Sequence, residues 1–533
     1  LGRAMSKRFP GRRLSWLRLG VLITATAAIV AAAGVGWGQF TDARAAAGKA
    51  SWFAGYVDAT VTPFYSFENP SSDAERSVIL SFIVADSEES CTPSWGGFYG
   101  FDEAQATMDL DRRVARLAET GGHIGISFGG LLNKELATGC TDPVALKQAY
   151  SQVLERYNVD TIDLDIEGDN LADAEAGARR ATVMAQLAAE RAAAGQDLEI
   201  WLTLPVAPHG LTDDGIRAVE QMLAAKVPLA GVNLMTMDYG QSRQPDQSML
   251  DASLQAARSA HVQLQAAYRE AGLESGERTV WSKIGLTPMI GQNDVPGEVF
   301  TLDDAAGLNA FAAEVGIGRM SMWSLNRDAT CSANYGDVTK VSNSCSGVEQ
   351  HESSYAAVLG QNLGGLPRAV SEPGPAASPG AAPVSTPATS AAGIVDDPAT
   401  SPYPVWNSEA AYVADERVVW HRNVYKAKWW TRGDVPDDPT ASAEVTPWTL
   451  IGPVLPGETP QPVVTAPAGT FPEWKIGTIY LKSDRVLLEG RVFEAKWWTQ
   501  GDSPEAALQG ADNTPWLVLT NEEVAELLSD LQK

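Results

Sequence analysis

Four acids, Asp160, Asp163, Asp165 and Glu167, stand within the stretch 159–167, interleaved with Val159, Thr161, Ile162, Leu164 and Ile166. From Ile162 onward polar and apolar residues alternate strictly, which is the period of a strand and not of a helix. Asp163, Asp165 and Glu167 therefore share one face, and Ile162, Leu164 and Ile166 share the other. Same-face neighbours on a strand lie about 6–7 Å apart. At that spacing carboxyl groups raise one another's pKa, and burial raises it further. A carboxyl group kept neutral near pH 7 is a general acid, so the pattern suits proton donation to a leaving group. A solvated edge strand would tolerate three acids but has no use for three branched apolar residues behind them. A parallel strand with helices behind it and an open site in front uses both faces.

The elements around this stretch fit that requirement. Apolar, β-rich runs occur at 52–57, 77–84, 124–127, 161–167, 198–204, 231–237, 283–287 and 319–324, separated by longer segments of helical period. The helix before the acidic run has Asp142 as cap, Pro143 in its first turn, an apolar face of Leu146, Tyr150, Val153, Leu154 and Tyr157, and Asn158 as its stop. Eight such runs alternating with helices predict an α/β chain whose main domain is a (β/α)8 TIM barrel. An open doubly wound sheet is the alternative, but no Gly-rich phosphate loop follows any run. In a barrel, polar residues at the carboxyl ends of strands form the active site, and Glu167 ends the fourth run.

Composition narrows the partners. The 533-residue chain has a formal net charge of −26, which disfavours nucleic acid and anionic surfaces and favours a neutral or cationic substrate. The four cysteines, Cys91, Cys140, Cys331 and Cys345, include no CxxC pair, and the five histidines form no HExxH, so neither a metal nor a cofactor is expected. An even cysteine count in an exported chain implies two disulfides with three connectivities open; pairing Cys91 with Cys140 and Cys331 with Cys345 closes two local loops. Export is the expectation from basic residues ahead of an apolar run, 19–35, and from A-x-A-like sites at 43–47, with an uncleaved membrane anchor as the alternative. Residues 1–49 are thus a leader, 50–365 the barrel, and 366–401 a Pro-, Ala- and Ser-rich linker.

Beyond the linker the chain repeats. Trp406, Tyr412, Arg417, Trp429, Trp430 and Trp448 recur as Trp474, Tyr480, Arg485, Trp497, Trp498 and Trp516, always 68 residues on. Two small β-rich modules at 402–453 and 471–519 follow from this, joined by a Pro-rich spacer at 454–470. Each is so short that its core must rest on aromatic residues. The tail, 520–533, reads as a short helix with Val524, Leu527, Leu528 and Leu531 on one side.

Asp160-x-x-Asp163-x-Asp165-x-Glu167 resembles the DxxDxDxE motif of glycoside hydrolase family 18, the chitinases and their relatives. Ser127-Phe128-Gly129-Gly130 resembles that family's SxGG motif, and Asn233-Leu234-Met235-Thr236-Met237-Asp238 its QxMxYD motif, in the expected order. The resemblance implies retaining hydrolysis in which the substrate's own acetamido oxygen attacks the anomeric carbon. Glu167 would protonate the glycosidic oxygen and later activate water. Asp165 would hold the acetamido nitrogen, and Asp163, deeper, would share a proton with Asp165. Ser127, Met235 and Asp238 would line the substrate site, with Trp323 on the eighth run as its aromatic floor. Met237 replaces the family's tyrosine, and Asn233 its glutamine. Tyr239 and Gln292 are the candidate substitutes, although strand alternation turns Tyr239 away from Asp238's face.

The repeats resemble the chitin-binding modules of carbohydrate-binding family 5/12, whose AKWWT motif each carries. The resemblance assigns Trp429, Trp430, Trp497, Trp498, Tyr412 and Tyr480 to sugar contact, with one Trp of each pair expected in the core beside Trp448 and Trp516. The partner implied is chitin or its oligosaccharides, bound by a monomer with no protein partner. The short segment between the last two runs leaves no room for an inserted domain, so an open groove and internal cuts are expected. Two rivals remain: an endo-β-N-acetylglucosaminidase acting on glycans, and a chitin-binding protein without activity. Gly125-x-Ser127-x-Gly129 also matches a serine-esterase elbow, but the following residues read as loop where an elbow requires a helix.

Overall fold

The computed structural model describes residues 50–273, 276–363, 396–442, 445–460, 466–467, 469–488, 490–508, 514–519 and 521–530. The expected leader, most of the linker and part of the spacer lie outside them. The chain divides into two compact units, each taken by itself below.

Eight parallel strands form the first unit: β1 (Trp52–Asp58), β2 (Ser77–Ala85), β3 (His123–Gly130), β4 (Thr161–Ile166), β5 (Glu199–Ala207), β6 (Leu229–Met235), β7 (Ile284–Thr287) and β8 (Arg319–Met322). Each pairs with its neighbours in sequence order, and β1 pairs with both β2 and β8, so the sheet closes into the expected (β/α)8 barrel. The eight runs read from the sequence all become barrel strands. Their ends differ at two places that matter. β4 stops at Ile166 and β6 at Met235, so Glu167 and Met237 lie just past the strands and not on them. Glu167 leads into a short helix, Gly168–Ala172, whose backbone turns away from the sheet.

Local chemistry explains the placing of β4. The preceding helix, Pro143–Tyr157, starts where the Asp142 carboxylate accepts the Val144 N–H and stops where Asn158 enters the left-handed region. Its buried residues include Leu146, Tyr150, Val153, Leu154 and Tyr157, the face read from the sequence. Cys91–Cys140 ties the loop after β2 to the segment leading into this helix, and Cys331–Cys345 closes the loop after β8. Between β7 and β8 lie only a two-residue hairpin, Gly291–Gln292 with Val299–Phe300, and the helix Leu302–Val315.

The second unit contains the repeat. The first module pairs β9 (Ala411–Tyr412) with β12 (Thr431–Arg432), and β10 (Arg417–Trp420) with β11 (Asn423–Ala427) and β13 (Trp448–Pro453). The second repeats this topology with β14 (Ile479–Tyr480), β15 (Arg485–Leu488), β16 (Arg491–Ala495), β17 (Thr499–Gln500) and β18 (Trp516–Val518). Tyr412, Val418, Tyr425 and Trp448 pack together in one core, and Tyr480, Val486, Phe493 and Trp516 in the other.

Two sequence expectations are corrected here. Tyr412 and Tyr480 are buried core residues, each with its hydroxyl hydrogen-bonded to the backbone, at Asn407 and Lys475 respectively. Both Trp residues of each pair are exposed, where one was expected inside. Ala427 and Thr431 are buried on either side of the first pair, so the intervening Lys428, Trp429 and Trp430 bulge outward without strand alternation. Ala495 and Thr499 do the same in the second module. The tail forms a helix, Asn521–Asp530, whose Val524 and Leu528 pack against Leu487, Val492 and Leu519.

Candidate active site

Asp163 lies fully buried inside the barrel and is saturated. One carboxylate oxygen accepts Tyr56 Oη and Ser127 Oγ, both at 2.8 Å; the other accepts Thr203 Oγ1 at 2.7 Å and Arg319 Nη1 at 2.6 Å. All four acceptor positions of an ionised carboxylate are filled, and Arg319 supplies the counter-charge. Arg319 is itself buried against the rings of Trp52, Tyr56 and Trp201, so the ion pair sits in an apolar sleeve. Asp163 is thus an anchored carboxylate. Its oxygens meet these four donors, with Asp165 not among them.

One residue pair up the strand, Asp165 is also buried, and burial pushes its carboxyl well above the ordinary range, with Glu167 and Asp163 adding repulsion and Arg319 opposing it. These surroundings favour the neutral form of Asp165. Its Oδ1 is buried without a hydrogen-bond partner. Gly129 makes room here. It faces Asp165 across the sheet with φ +110°, and a Cβ on it would lie 2.0 Å from the Asp165 carbonyl oxygen. Gly130, at φ +84°, likewise lets the Phe82 ring approach. The two glycines of the third-strand motif thus have a packing reason.

Glu167 stands at the mouth. Its side chain caps no helix. Burial, then the charges of Asp238 and Asp294, push its carboxyl from 4.5 to about 7. Such a group is a proton donor at neutral pH and a base once it has given the proton up. A cavity of about 320 Å³ opens above it, lined by Asp165, Glu167, Met235, Met237, Asp238, Asp294 and Trp323 among others. No Lys, Arg or His is among its described lining residues. Trp323 packs against Phe82, with ring centroids 5.4 Å apart, and against Tyr56. Asp238 has φ +50°, turns the chain out of β6, and accepts the Val295 N–H at 3.1 Å, holding the loop that carries Asp294. Among the described residues no group of three or more His, Cys, Asp or Glu is arranged for a metal ion.

Several sequence candidates lie elsewhere. Ser127 is below the cavity and serves Asp163. Tyr239 is buried away from it, with its hydroxyl against Ser253 Oγ at 3.2 Å and its N–H donated to Glu298. Gln292 is held in the hairpin by backbone bonds and does not line the cavity. Neither replaces the tyrosine; Met237 itself faces the cavity, and Asn233 is buried in a network with Tyr56, Thr203 and Thr287. Sequence reasoning missed Arg319, Tyr56, Thr203 and Asp294. Arg319 left a signal, because it shares strand parity with the inward Trp323, and a cation inside a barrel needs a buried acid.

Residues 473–517 match carbohydrate-binding module family 5/12. A probable bifunctional chitinase/lysozyme of Escherichia coli (strain K12) is 32% identical over 298 residues, 54% of this chain and 32% of the relative. Endochitinase 11 of Metarhizium anisopliae is 31% identical over 299 residues, 54% of this chain and 55% of the relative. The matched region thus spans about a third and about half of these two relatives. Active domain 2 of a chitinase from Pyrococcus furiosus superposes with a TM-score of 0.50 at 28% identity, covering 59% of this chain and 95% of that domain. The barrel is therefore similar in sequence and fold to chitinase catalytic domains, and the C-terminal segment 473–517 matches carbohydrate-binding module family 5/12.

Proposed function

We propose that the barrel hydrolyses the β-1,4 bonds between N-acetylglucosamine units of chitin, with retention of configuration. One observation carries this reading: directly beneath the proton donor Glu167, the buried Oδ1 of Asp165 has no hydrogen-bond partner. Surroundings that favour the neutral form of Asp165 make it a poor nucleophile, which supports attack by a group of the substrate itself. The acetamido N–H meets the vacant Oδ1, and its carbonyl oxygen attacks the anomeric carbon. The C1–O bond breaks as Glu167 passes its proton to the leaving oxygen. The resulting oxazolinium is opened by a water whose proton returns to Glu167. Likeness to proteins named chitinase and endochitinase supports the substrate.

The short connection between β7 and β8 leaves the cavity mouth free of an added wall, which supports internal cutting of long chains. The family match of the second module, and the 68-residue repeat that extends it to the first, support binding of both modules to the polymer. Two modules on Pro-rich spacers raise the local concentration of the barrel at an insoluble surface. The basic, apolar leader supports export. The test is product analysis on colloidal chitin: the full chain releases oligosaccharides of retained anomeric form, and Glu167→Gln binds chitin without cutting it. Turnover by Glu167→Gln near the parent rate refutes the mechanism, and glycan release from glycoproteins without chitin cleavage refutes the substrate.

A further inference from the structure

The two C-terminal modules share a fold and a Trp pair, but the surface around the pair differs. In the second module β14 and β17 pair antiparallel, with Ile479 opposite Gln500 and Tyr480 opposite Thr499. Tyr480 and Thr499 turn inward, at 6% and 1% exposure, and Ile479 outward at 53%, while Leu481 and Trp498, just past the paired residues, are exposed at 58% and 57%. Ile476, in the turn ahead of β14, is 78% exposed. These exposed side chains flank the strand pair that leads into the Trp pair and add apolar area to that part of the module. Gln500 is the polar member of the face, and none of these residues is charged.

At the matching positions the first module has Ser408, Ala411, Val413, Trp430 and Arg432, in the same register. Ala411 and Val413 are only partly exposed, and Arg432 is exposed beside Trp430. Each copy keeps a lysine over its first indole, Lys428 over Trp429 and Lys496 over Trp497, but the same backbone positions carry exposed aliphatic side chains in the second copy and smaller ones with an arginine in the first. Scattered exposed aliphatics need no explanation, but a contiguous group bordering an established binding motif does. The match to family 5/12 covers this second copy.

Resting on the reading of the modules as chitin-binding, we propose that the second module anchors the chain to ordered chitin faces, where Ile476, Ile479 and Leu481 contact polymer chains adjacent to the one stacked on the Trp pair. Such a face offers pyranose C–H groups and acetamido methyls from several chains side by side. An aliphatic surround gains contact there, whereas a single soluble oligosaccharide covers the indoles alone. The first module grips single chains, with Arg432 donating hydrogen bonds beside Trp430.

The test uses the full chain with depletion isotherms on crystalline chitin and titration with soluble chitohexaose. Ile479→Ala with Leu481→Val installs the residues that the first module already carries at these positions, so folding is retained. Removing this much desolvated aliphatic surface weakens binding to crystalline chitin about tenfold. Binding of chitohexaose stays unchanged, and Trp498→Ala weakens both. Unchanged binding to crystalline chitin, or an equal loss on chitohexaose, overturns the inference. If Trp430→Ala combined with Trp498→Ala leaves chitin binding at the parent level, the chitin-binding reading itself fails. If Trp498→Ala weakens binding while the aliphatic pair does not, only the division of labour fails.

Discussion

Replacing Glu167 by Gln removes the proposed acid and also makes the barrel more stable above neutral pH. Glu167 titrates near 4.5 in an ordinary environment and near 7 in the fold. Between those values the folded chain holds a proton that the unfolded chain has released, so stability falls as pH rises through this window. Below it both states are protonated, and the penalty is absent. Above it the penalty is complete and amounts to about 3 kcal/mol, at about 1.4 kcal/mol per pKa unit. Gln has the same shape and never ionises, so the variant escapes the penalty. Glu167→Gln therefore has the parent's stability at pH 4 and gains about 3 kcal/mol at pH 8, a rise in Tm of about 6 °C for a domain of this size. Paired thermal melts and urea titrations at the two pH values measure this. An equal difference between variant and parent at both values refutes the argument that burial and the facing charges of Asp238 and Asp294 hold the proton on Glu167.

The same titration governs rate. The proposed hydrolysis of chitin falls about tenfold per pH unit above about 7, as Glu167 ionises, and Asp294→Asn, by removing one repelling charge, moves this alkaline limb of kcat/KM to lower pH. Arg319→Met leaves Asp163 buried without its cation and lowers stability by about 3–5 kcal/mol. Adding Asp163→Asn recovers most of that in urea titrations, without recovering activity. Removing Cys91–Cys140, which closes a 49-residue separation, costs about 4 kcal/mol by loop entropy, against about 3 for Cys331–Cys345 with its separation of 14. Reversal of that order in denaturant midpoints of Cys→Ser pairs refutes the entropic account.

Much of the barrel was legible because period-2 runs and helical stretches alternate without interruption. The capped helix from Pro143 to Tyr157 was read nearly to the residue, since Asp142 and Asn158 carry local signals that no tertiary contact overrides. The acids of β4 were legible for the same reason. Their electrostatic roles were not, because these depend on who faces them across the barrel. Arg319 lies 156 positions from Asp163 in sequence, yet it is the cation that pairs with Asp163 inside the barrel. Asp294 escaped notice because it lies on a loop, where no periodicity assigns a direction. The exposure of both Trp residues in each pair was not legible, because 428–430 and 496–498 leave the strand and no periodicity marks that departure. Tyr239 was drawn in by its nearness in sequence to the absent tyrosine and Gln292 by its place in the loop after the seventh strand, and packing spends both on scaffold bonds.

The four-fold grip on Asp163 has a consequence for how the chain comes into being. Its donors are contributed by β1, β3, β5 and β8, so the grip spans the barrel from first strand to last. During synthesis every strand but one can be present while Arg319 is still missing. Until it arrives, a bare carboxylate occupies the middle of the nascent sheet and opposes closure. The final strand therefore acts as a completion signal: a truncated or nicked product ending before it is electrostatically unfinished, not merely shorter. Competence at the mouth, where Glu167 waits, is tied in this way to the last turn of the barrel's own assembly.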